Sequence, residues 1–140
     1  MSLIVLDASA VAAWSLPTQH TPAAESLLRA AGQHRFLAPH IFPIEVRSLF
    51  LAAERRERWR LADTETALRG LEELDLLIAR MDDPVELRSV MGVARMEGLT
   101  LYDAFYLRLA ETDTATLASR DKPLLSAAER RGVAIINLNA

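Results

Sequence analysis

The chain alternates short apolar runs, each the length of a β-strand, with longer stretches of helical periodicity. Residues 3–6 are continuously apolar, a pattern typical of a strand that is buried on both faces of a sheet. Further strands are predicted at 36–38, 76–79, 116–118 and 133–136, and helices at 8–16, 21–31, 41–58, 63–74, 84–97, 101–112 and 123–131. Strands that alternate with helices form right-handed βαβ units. The sequence therefore predicts an α/β fold with a mostly parallel sheet that is covered on both sides.

Composition limits the chemistry that this chain can perform. Its 140 residues show neither a repeat nor a long linker, so we predict one domain over 1–140. The chain has no cysteine, which excludes disulfides, thiolate zinc sites and thiol nucleophiles. Its histidines, His20, His34 and His40, are too scattered to predict a histidine metal site. Any metal bound by this chain is expected to be a hard cation held by oxygen atoms.

Charge and hydropathy set weaker limits on partners and location. The net charge of −3 and the pI of about 5.6 argue against a strongly basic nucleic-acid binder. That argument loses force if several acidic residues are neutralised by a metal, because the remaining charge is then close to balanced. The N-terminus has no basic region, and no apolar run approaches the roughly 20 residues that cross a bilayer. We expect a cytoplasmic protein with no membrane contact.

Two acidic residues lie just beyond predicted strands. Asp7 directly follows the run at 3–6, and Asp121 closely follows the strand at 116–118. Ligands of open α/β sheets bind beyond the carboxyl ends of the strands, which makes both residues candidates for a functional site. Each also has a purely structural alternative, because aspartate is a favoured N-cap and a helix is predicted after both. Ser9 could cap the first helix in place of Asp7.

Glu45 and Asp103 are further candidates, and both lie on predicted helices. Glu45 is placed in the middle of the helix at 41–58, on its apolar stripe. A carboxylate in such a stripe is costly unless it is ion-paired or binds a metal, and both alternatives remain open. Asp103 resembles the last residue of a capping box that begins at Thr100, yet it shares a helical face with Tyr106. The aromatic residues around Asp103 are predicted to pack in the core rather than to stack on bases: Tyr102, Phe105 and Tyr106.

With these residues in view, the chain resembles the PIN-domain ribonucleases, in particular the VapC-type toxins of type II toxin–antitoxin pairs. The similarity covers essentially the whole length and is carried by four segments in the order that the family has them. These segments are IVLDASA, APHIFPIEVRSLF, GLTLYDAFYLRLA and LASRDKPLLSAAERRGV. The resemblance implies a PIN-like three-layer α/β/α sandwich with a central, mostly parallel sheet.

The resemblance also implies one site for Mg²⁺ or Mn²⁺, formed by four acidic side chains: Asp7, Glu45, Asp103 and Asp121. Asp7 and Asp103 would be the principal ligands, Glu45 would support the cluster and Asp121 would complete it. Mutual repulsion is expected to raise the pKa values of these carboxyls above their unfolded values. Many relatives have threonine where this chain has Ser119. The serine keeps the hydroxyl, so we expect Ser119, and Ser9 likewise, to form hydrogen bonds to the site.

The function implied by the resemblance is that of a metal-dependent endoribonuclease acting as a toxin. Metal-activated water would cleave the phosphodiester bonds of RNA and leave a 5′-phosphate. The implied partners are RNA, a small antitoxin that covers the acidic cleft, and a second copy of the chain in a homodimer. A PIN-fold nuclease that cleaves DNA, or that processes RNA without a toxin role, is the main alternative. A receiver-like signalling module is disfavoured, because Asp7 is followed by Ala8 and not by a second acid.

Overall fold

The apolar runs of the sequence form the strands of one sheet. The computed structural model describes residues 2–56 and 58–140, and the five strands found there are all parallel to their neighbours. They are β1 (Ser2–Leu6), β2 (His34–Pro39), β3 (Leu76–Ala79), β4 (Thr116–Ser119) and β5 (Ile135–Asn137). Their order across the sheet is β3-β2-β1-β4-β5, which places β1 in the centre.

The helical stretches cover both faces of this sheet. They form α1 (Ala8–Ser15), α2 (Pro22–Arg29), α3 (Phe42–Arg56), α4 (Leu61–Glu72), α5 (Pro84–Glu97), α6 (Leu101–Thr112) and α7 (Lys122–Arg130). Because βαβ crossovers are right-handed, α1 to α4 lie on one face and α5 to α7 on the other. The packing agrees, since α1 contacts α2 and α3, while α6 contacts α5 and α7. The predicted three-layer α/β/α fold with a parallel sheet is confirmed.

The strand order creates a switch point between β1 and β4. From β1 the chain moves outward through β2 to β3, and it then crosses to the other side of β1 to form β4 and β5. The carboxyl ends of β1 and β4 are level, because Leu6 pairs with Ala118. Crossover connections diverge above such a point and leave a crevice at the carboxyl edge of the sheet. Asp7 directly follows β1, and Ser119 is the last residue of β4. Both residues therefore border this crevice.

The core lies between the sheet and the two helical layers. Ile4, Val5 and Leu6 of β1 are almost fully buried, as expected of a continuously apolar central strand. Phe36 of β2 and Phe50 of α3 are equally buried. Among residues 2–56 and 58–140, no helix has both the length and the apolar content that a bilayer crossing requires.

Four helices begin at residues other than those predicted: the starts of α2 and α7 are displaced by one residue, and the starts of α3 and α4 have a clear local reason. The predicted helix 41–58 starts at Phe42 instead, because Ile41 contributes only its carbonyl, which accepts the Glu45 N–H at 3.0 Å. Its described part ends at Arg56, and the predicted continuation through Glu57 lies outside the described residues. Helix α4 starts at Leu61 and not at Asp63, whose carboxylate reaches back to accept the backbone N–H of the residue before the helix at 2.9 Å.

The last strand is also displaced from its predicted range of 133–136. Val133 does not extend the sheet, because its N–H donates to the carbonyl of Ala128 at 2.9 Å and so completes the end of α7. Strand β5 therefore starts at Ile135 and ends at Asn137, where Asn137 is in register with Ser119 of β4. This register brings the residues that follow β5 to the switch point.

The turn between α5 and α6 fixes the start of the helix that carries Asp103. Gly98 ends α5 with φ +66°, and the next residue, Leu99, donates its N–H to the carbonyl of Ala94 at 3.0 Å. Two residues later Thr100 caps α6, and its hydroxyl oxygen accepts the N–H of Asp103 at 3.1 Å. The left-handed backbone conformation of Gly98 therefore determines the direction in which α6 leaves the turn.

Replacing Gly98 by alanine should lower the free energy of unfolding by about 1 kcal/mol, because an L-residue is strained at this φ. Added atoms at this position meet nothing within 4 Å, so a steric clash does not contribute. Gly92 lies inside α5 with equally open space, and Gly92→Ala should raise the stability by up to about 1 kcal/mol. Urea denaturation of both variants measures the two effects. Equal effects of the two substitutions would contradict the assigned role of Gly98.

Candidate active site

Asp7 lies at the end of β1 with only 4% of its surface exposed. Its Oδ1 accepts the N–H of Ala10 at 3.3 Å, so the predicted capping role is real. The same oxygen accepts the Ser9 hydroxyl at 2.5 Å, and Oδ2 accepts the Ser119 hydroxyl at 2.8 Å. The expected serine hydrogen bonds are present, and Ser9 supports Asp7 instead of replacing it as the cap.

Each of these serines is itself held by the backbone that follows β4. The Arg120 N–H donates to Ser9 Oγ at 2.9 Å, and the Asp121 N–H donates to Ser119 Oγ at 2.9 Å. A hydroxyl that accepts a backbone N–H directs its own hydrogen elsewhere, and both hydroxyls here direct it to the Asp7 carboxylate. The loops after β1 and β4 are thereby joined through the hydrogen bonds of one carboxylate.

Asp121 and Asp103 approach the same edge from the starts of two helices. Asp121 is the N-cap of α7, and its Oδ1 accepts the N–H of Leu124 at 3.0 Å. Asp103 is in the first turn of α6 and is partly buried. The Thr100 half of the predicted capping box is formed, but the return bond from the Thr100 N–H to the Asp103 carboxylate is not found among the described residues. The Asp103 carboxylate therefore does not complete the capping box, although its pKa shows a hydrogen bond with the Thr100 side chain.

Glu45 differs from its prediction in position, and it has a hydrogen-bond partner that was not predicted. It lies in the first turn of α3 and not in the middle of the helix, a position that favours a negative charge. Within the described residues it forms no ion pair, and its Oε1 instead accepts the Tyr106 hydroxyl at 2.5 Å. Burial and the adjacent Glu45 charge raise the pKa of Tyr106 far above its ordinary value. Tyr106 therefore remains a protonated donor that fixes one Glu45 oxygen and leaves the other available.

Burial is the main reason why Asp7 is difficult to ionise. It raises the pKa of Asp7 to about 6 from an ordinary value of 3.8. Hydrogen bonds from Ser9, Ser119 and Ala10 oppose this rise, and the charge of Asp121 adds to it. The predicted rise is thus present for Asp7, although desolvation and not repulsion is its largest cause.

The electrostatic environment of Asp103 links the four candidate carboxylates. The pKa of Asp103 is raised to about 6, chiefly by burial and then by the charges of Asp121, Asp7 and Glu45, while a hydrogen bond with Thr100 opposes the rise. Asp103 therefore experiences the charge of every other predicted site residue.

The donor set suits a hard divalent cation that retains part of its hydration shell. No three acidic or histidine side chains within residues 2–56 and 58–140 already lie close enough to enclose one ion. Mg²⁺ needs only one or two direct carboxylates when the remaining ligands are water molecules. Burial raises the pKa values of Asp7 and Asp103, and a bound cation would favour their ionised forms. Carboxylates without thiolate or imidazole partners fit Mg²⁺ or Mn²⁺ better than zinc.

The aromatic residues near Asp103 were only partly predicted. Phe105 and Tyr106 are buried as expected, but Tyr102 is 56% exposed, so its assignment to the core was wrong. The contact between Tyr106 and Glu45 was not predicted. Its one sequence signal is the spacing of three residues between Asp103 and Tyr106, which places both on one face of α6.

Comparisons with known proteins agree with this geometry. A family model of the PIN domain matches residues 4–130, and the chain therefore belongs to the PIN-domain family. Membership of this family indicates nuclease activity. The resemblance to PIN-domain proteins that the sequence motifs suggested is thus confirmed. No curated protein matches the chain.

Solved structures show the same fold. The crystal structure of PAE2754 from Pyrobaculum aerophilum is 25% identical with a TM-score of 0.69, and the match covers 96% of this chain and 90% of that one. FitAcB from Neisseria gonorrhoeae is 20% identical with a TM-score of 0.61 and coverage of 96% of both chains. VapBC2 from Rickettsia felis, bound to a DNA fragment from their promoter, is 12% identical with a TM-score of 0.67, covering 96% of this chain and 98% of that one.

The raised pKa of Asp7 predicts a specific dependence of stability on pH. Because its folded pKa of about 6 exceeds the unfolded value of 3.8, the native state binds more protons between them, and stability falls as pH rises through about 6. Above about pH 6, the ionised Asp7 carboxylate should lower the free energy of unfolding by about 3 kcal/mol. Asp7→Asn should therefore melt higher than the wild type at pH 7.5 and only slightly higher at pH 4. Calorimetric melts without metal test this, and a variant that melts lower at pH 7.5 would show that the charge is structural.

Proposed function

We propose that this protein is a metal-dependent endoribonuclease of the VapC type, acting as the toxin of a toxin–antitoxin pair. The observation that best supports the proposal is that, in a PIN-domain chain, the charges of Asp7, Glu45 and Asp121 all act on Asp103. Two of these four carboxyls have pKa values raised to about 6, so the site favours a cation. Such an arrangement suits cleavage of a phosphodiester, whose own charge also requires neutralisation.

The four carboxylates would have two different roles at the metal. Asp7 and Asp103 would hold Mg²⁺ or Mn²⁺ directly, and Glu45 and Asp121 would bind its water molecules. A divalent cation held in this way neutralises charge on the phosphate and lowers the pKa of water. Ser9 and Ser119 keep both Asp7 oxygens oriented through their hydrogen bonds.

Tyr106 and Glu45 form the side of the site that orients water. Because the Tyr106 hydroxyl occupies Oε1 of Glu45, the carboxylate cannot rotate freely, and its Oε2 is left to accept a hydrogen bond from water. Water oriented for attack on phosphorus in line with the leaving 3′-oxygen gives a 5′-phosphate and a free 3′-hydroxyl. Attack by the ribose 2′-hydroxyl would give a cyclic phosphate instead, so the product ends distinguish the two routes.

Cleavage assays on matched RNA and single-stranded DNA oligonucleotides test the nuclease proposal. With Mg²⁺ or Mn²⁺ the wild type should cleave RNA and leave 5′-phosphates, which mass spectrometry identifies, and chelation should stop the reaction. Asp7→Asn and Asp103→Asn should each lower the rate about 100-fold or more, since even residues beyond the direct ligands cost 10–100-fold. Asp113→Asn, an exposed acid at the other end of α6, is the matched control and should leave the rate unchanged.

Each remaining outcome of that assay has a distinct meaning. Preferential cleavage of DNA would support the alternative of a PIN-fold DNA nuclease. Cleavage of RNA that is insensitive to Asp7→Asn would remove the proposed site altogether. Metal-independent cleavage with cyclic phosphate ends would contradict the proposed attack by water.

The proposed toxin role requires a small antitoxin as partner, and we include a homodimer in the proposal. A cleft with four carboxylates suits an inserted arginine, whose planar guanidinium binds carboxylates through two hydrogen bonds. An apolar groove of about 340 Å³, whose lining includes none of the four carboxylates, offers a separate surface on which a partner would pack. Its apolar lining includes Trp14, Leu28, Trp59, Leu71 and Leu74.

Expression in a bacterial host tests the toxin role separately from cleavage in vitro. The wild type should arrest growth, and co-expression of a small protein encoded beside it should relieve the arrest and co-purify with it. Asp7→Asn should not arrest growth, because it lacks the proposed metal ligand, whereas Asp113→Asn should arrest it. Normal growth with wild-type protein that cleaves RNA in vitro would favour a role in RNA processing.

A further inference from the structure

Two successive peptide groups at the end of β4 are hydrogen-bonded through both their N–H and their carbonyl. The peptide between Ser119 and Arg120 donates its N–H to Ser9 at 2.9 Å, and its carbonyl accepts the N–H of Leu138 at 2.9 Å. A trans peptide directs its N–H and its carbonyl in opposite directions, so one end of this group faces Ser9 and the other faces the segment after β5. The orientation of the group is therefore determined by partners on both sides.

The next peptide group repeats this arrangement with a side chain as the outer partner. The N–H of Asp121 donates to Ser119 Oγ at 2.9 Å, and the carbonyl of Arg120 accepts from Asn139 Nδ2 at 3.0 Å. In both groups the segment after β5 binds the carbonyl, and a serine of the site accepts the N–H. Both serines then donate to Asp7.

We propose that Asn139 is a positioning residue of the active site, because its side-chain amide orients the peptide whose N–H holds the serine that binds Asp7. The inference rests on the proposed metal site. Hydrogen bonds in such a chain polarise one another, so loss of the outer bond weakens the inner ones. Without Asn139 the peptide between Arg120 and Asp121 can rotate, and Ser119 loses the donor that directs its hydroxyl toward Asp7.

The turn after β5 does not require the side chain of Asn139. Pairing of β5 ends at Asn137, and the buried Leu138 anchors the following backbone, while its carbonyl accepts the Thr21 hydroxyl at 2.8 Å. The turn at this point is made by Asn137, whose Oδ1 accepts the N–H of Asn139 at 2.9 Å. The side-chain amide of Asn139 also donates to this oxygen at 2.8 Å, which fixes the orientation of the amide. Its second hydrogen bond, to the Arg120 carbonyl, joins it to the site and not to the turn.

Three variants separate positioning from general stability. Asn139→Ala removes the donor, and Asn139→Asp keeps the shape but presents an oxygen to the Arg120 carbonyl. Val93→Ala is the control, because it loosens the buried face of α5 without a hydrogen bond to the site. Mn²⁺ affinity is measured from the electron paramagnetic resonance signal of the free ion. Hydrogen exchange of the Arg120 and Asp121 amides is measured by NMR on the metal-free protein.

Both Asn139 variants should bind Mn²⁺ about three- to tenfold more weakly, the effect of losing one neutral hydrogen bond. The Asp121 amide should exchange faster by a similar factor, while amides of β1 should keep the wild-type rate. The Mn²⁺ concentration for half-maximal RNA cleavage should rise in parallel, with kcat at saturating Mn²⁺ unchanged within about twofold. Val93→Ala should lower the melting temperature without either local effect.

Wild-type Mn²⁺ affinity in Asn139→Ala, or unchanged exchange of the Asp121 amide, would overturn the inference. A uniform rise in exchange that includes β1 would also overturn it, because the role of Asn139 would then be structural. If the wild type itself binds no Mn²⁺, the proposed function fails, and the exchange of the Asp121 amide still decides whether Asn139 orients that peptide.

Discussion

The acidic edge of the sheet depends on one interaction, the burial of the Asp7 carboxylate at the end of the central strand. Burial alone would favour the neutral acid, and two serine hydroxyls and one backbone N–H partly offset this by donating to its oxygens. Those serines come from α1 and β4, and their own hydrogen-bond donors come from the loop after β4. Satisfying this carboxylate therefore also fixes the relative positions of the two loops that border the crevice.

Capping and metal binding are compatible roles for the same side chains. An ionised carboxylate offers about four acceptor positions; on Asp7 the cap of α1 and the two serine hydroxyls occupy three, which leaves one for a cation. Asp121 caps α7 through one oxygen and still raises the pKa of Asp103 through its charge. The helix starts place Asp7 and Asp121 at the sheet edge, because α1 directly follows β1 and α7 directly follows β4. The structural and the functional explanation of each aspartate are consequences of one topology.

The sequence predicted well those features that depend on short-range patterns. The strand ends located Asp7 and Asp121, and the helix 101–112 was predicted at its observed limits. The position of Glu45 was wrong because apolar periodicity does not show which carbonyl accepts the first helical hydrogen bond. The bonds from Tyr106 to Glu45 and from Asn139 to Arg120 join residues 61 and 19 positions apart. Such contacts depend on strand order and register, which a single sequence does not specify.

Metal binding would explain why a carboxylate occupies position 7, although its burial lowers the stability of the metal-free protein. Asparagine at position 7 could accept the cap and one serine bond without a buried charge, and it would suit a purely structural role better. The carboxylate is useful when a cation binds the folded state alone, because binding then stabilises that state by an amount that grows with the cation concentration relative to its Kd. The serines oppose the rise in the Asp7 pKa and so keep a larger fraction of the carboxylate ionised at neutral pH. The same hydrogen bonds that make the buried charge tolerable thus keep Asp7 available as a ligand.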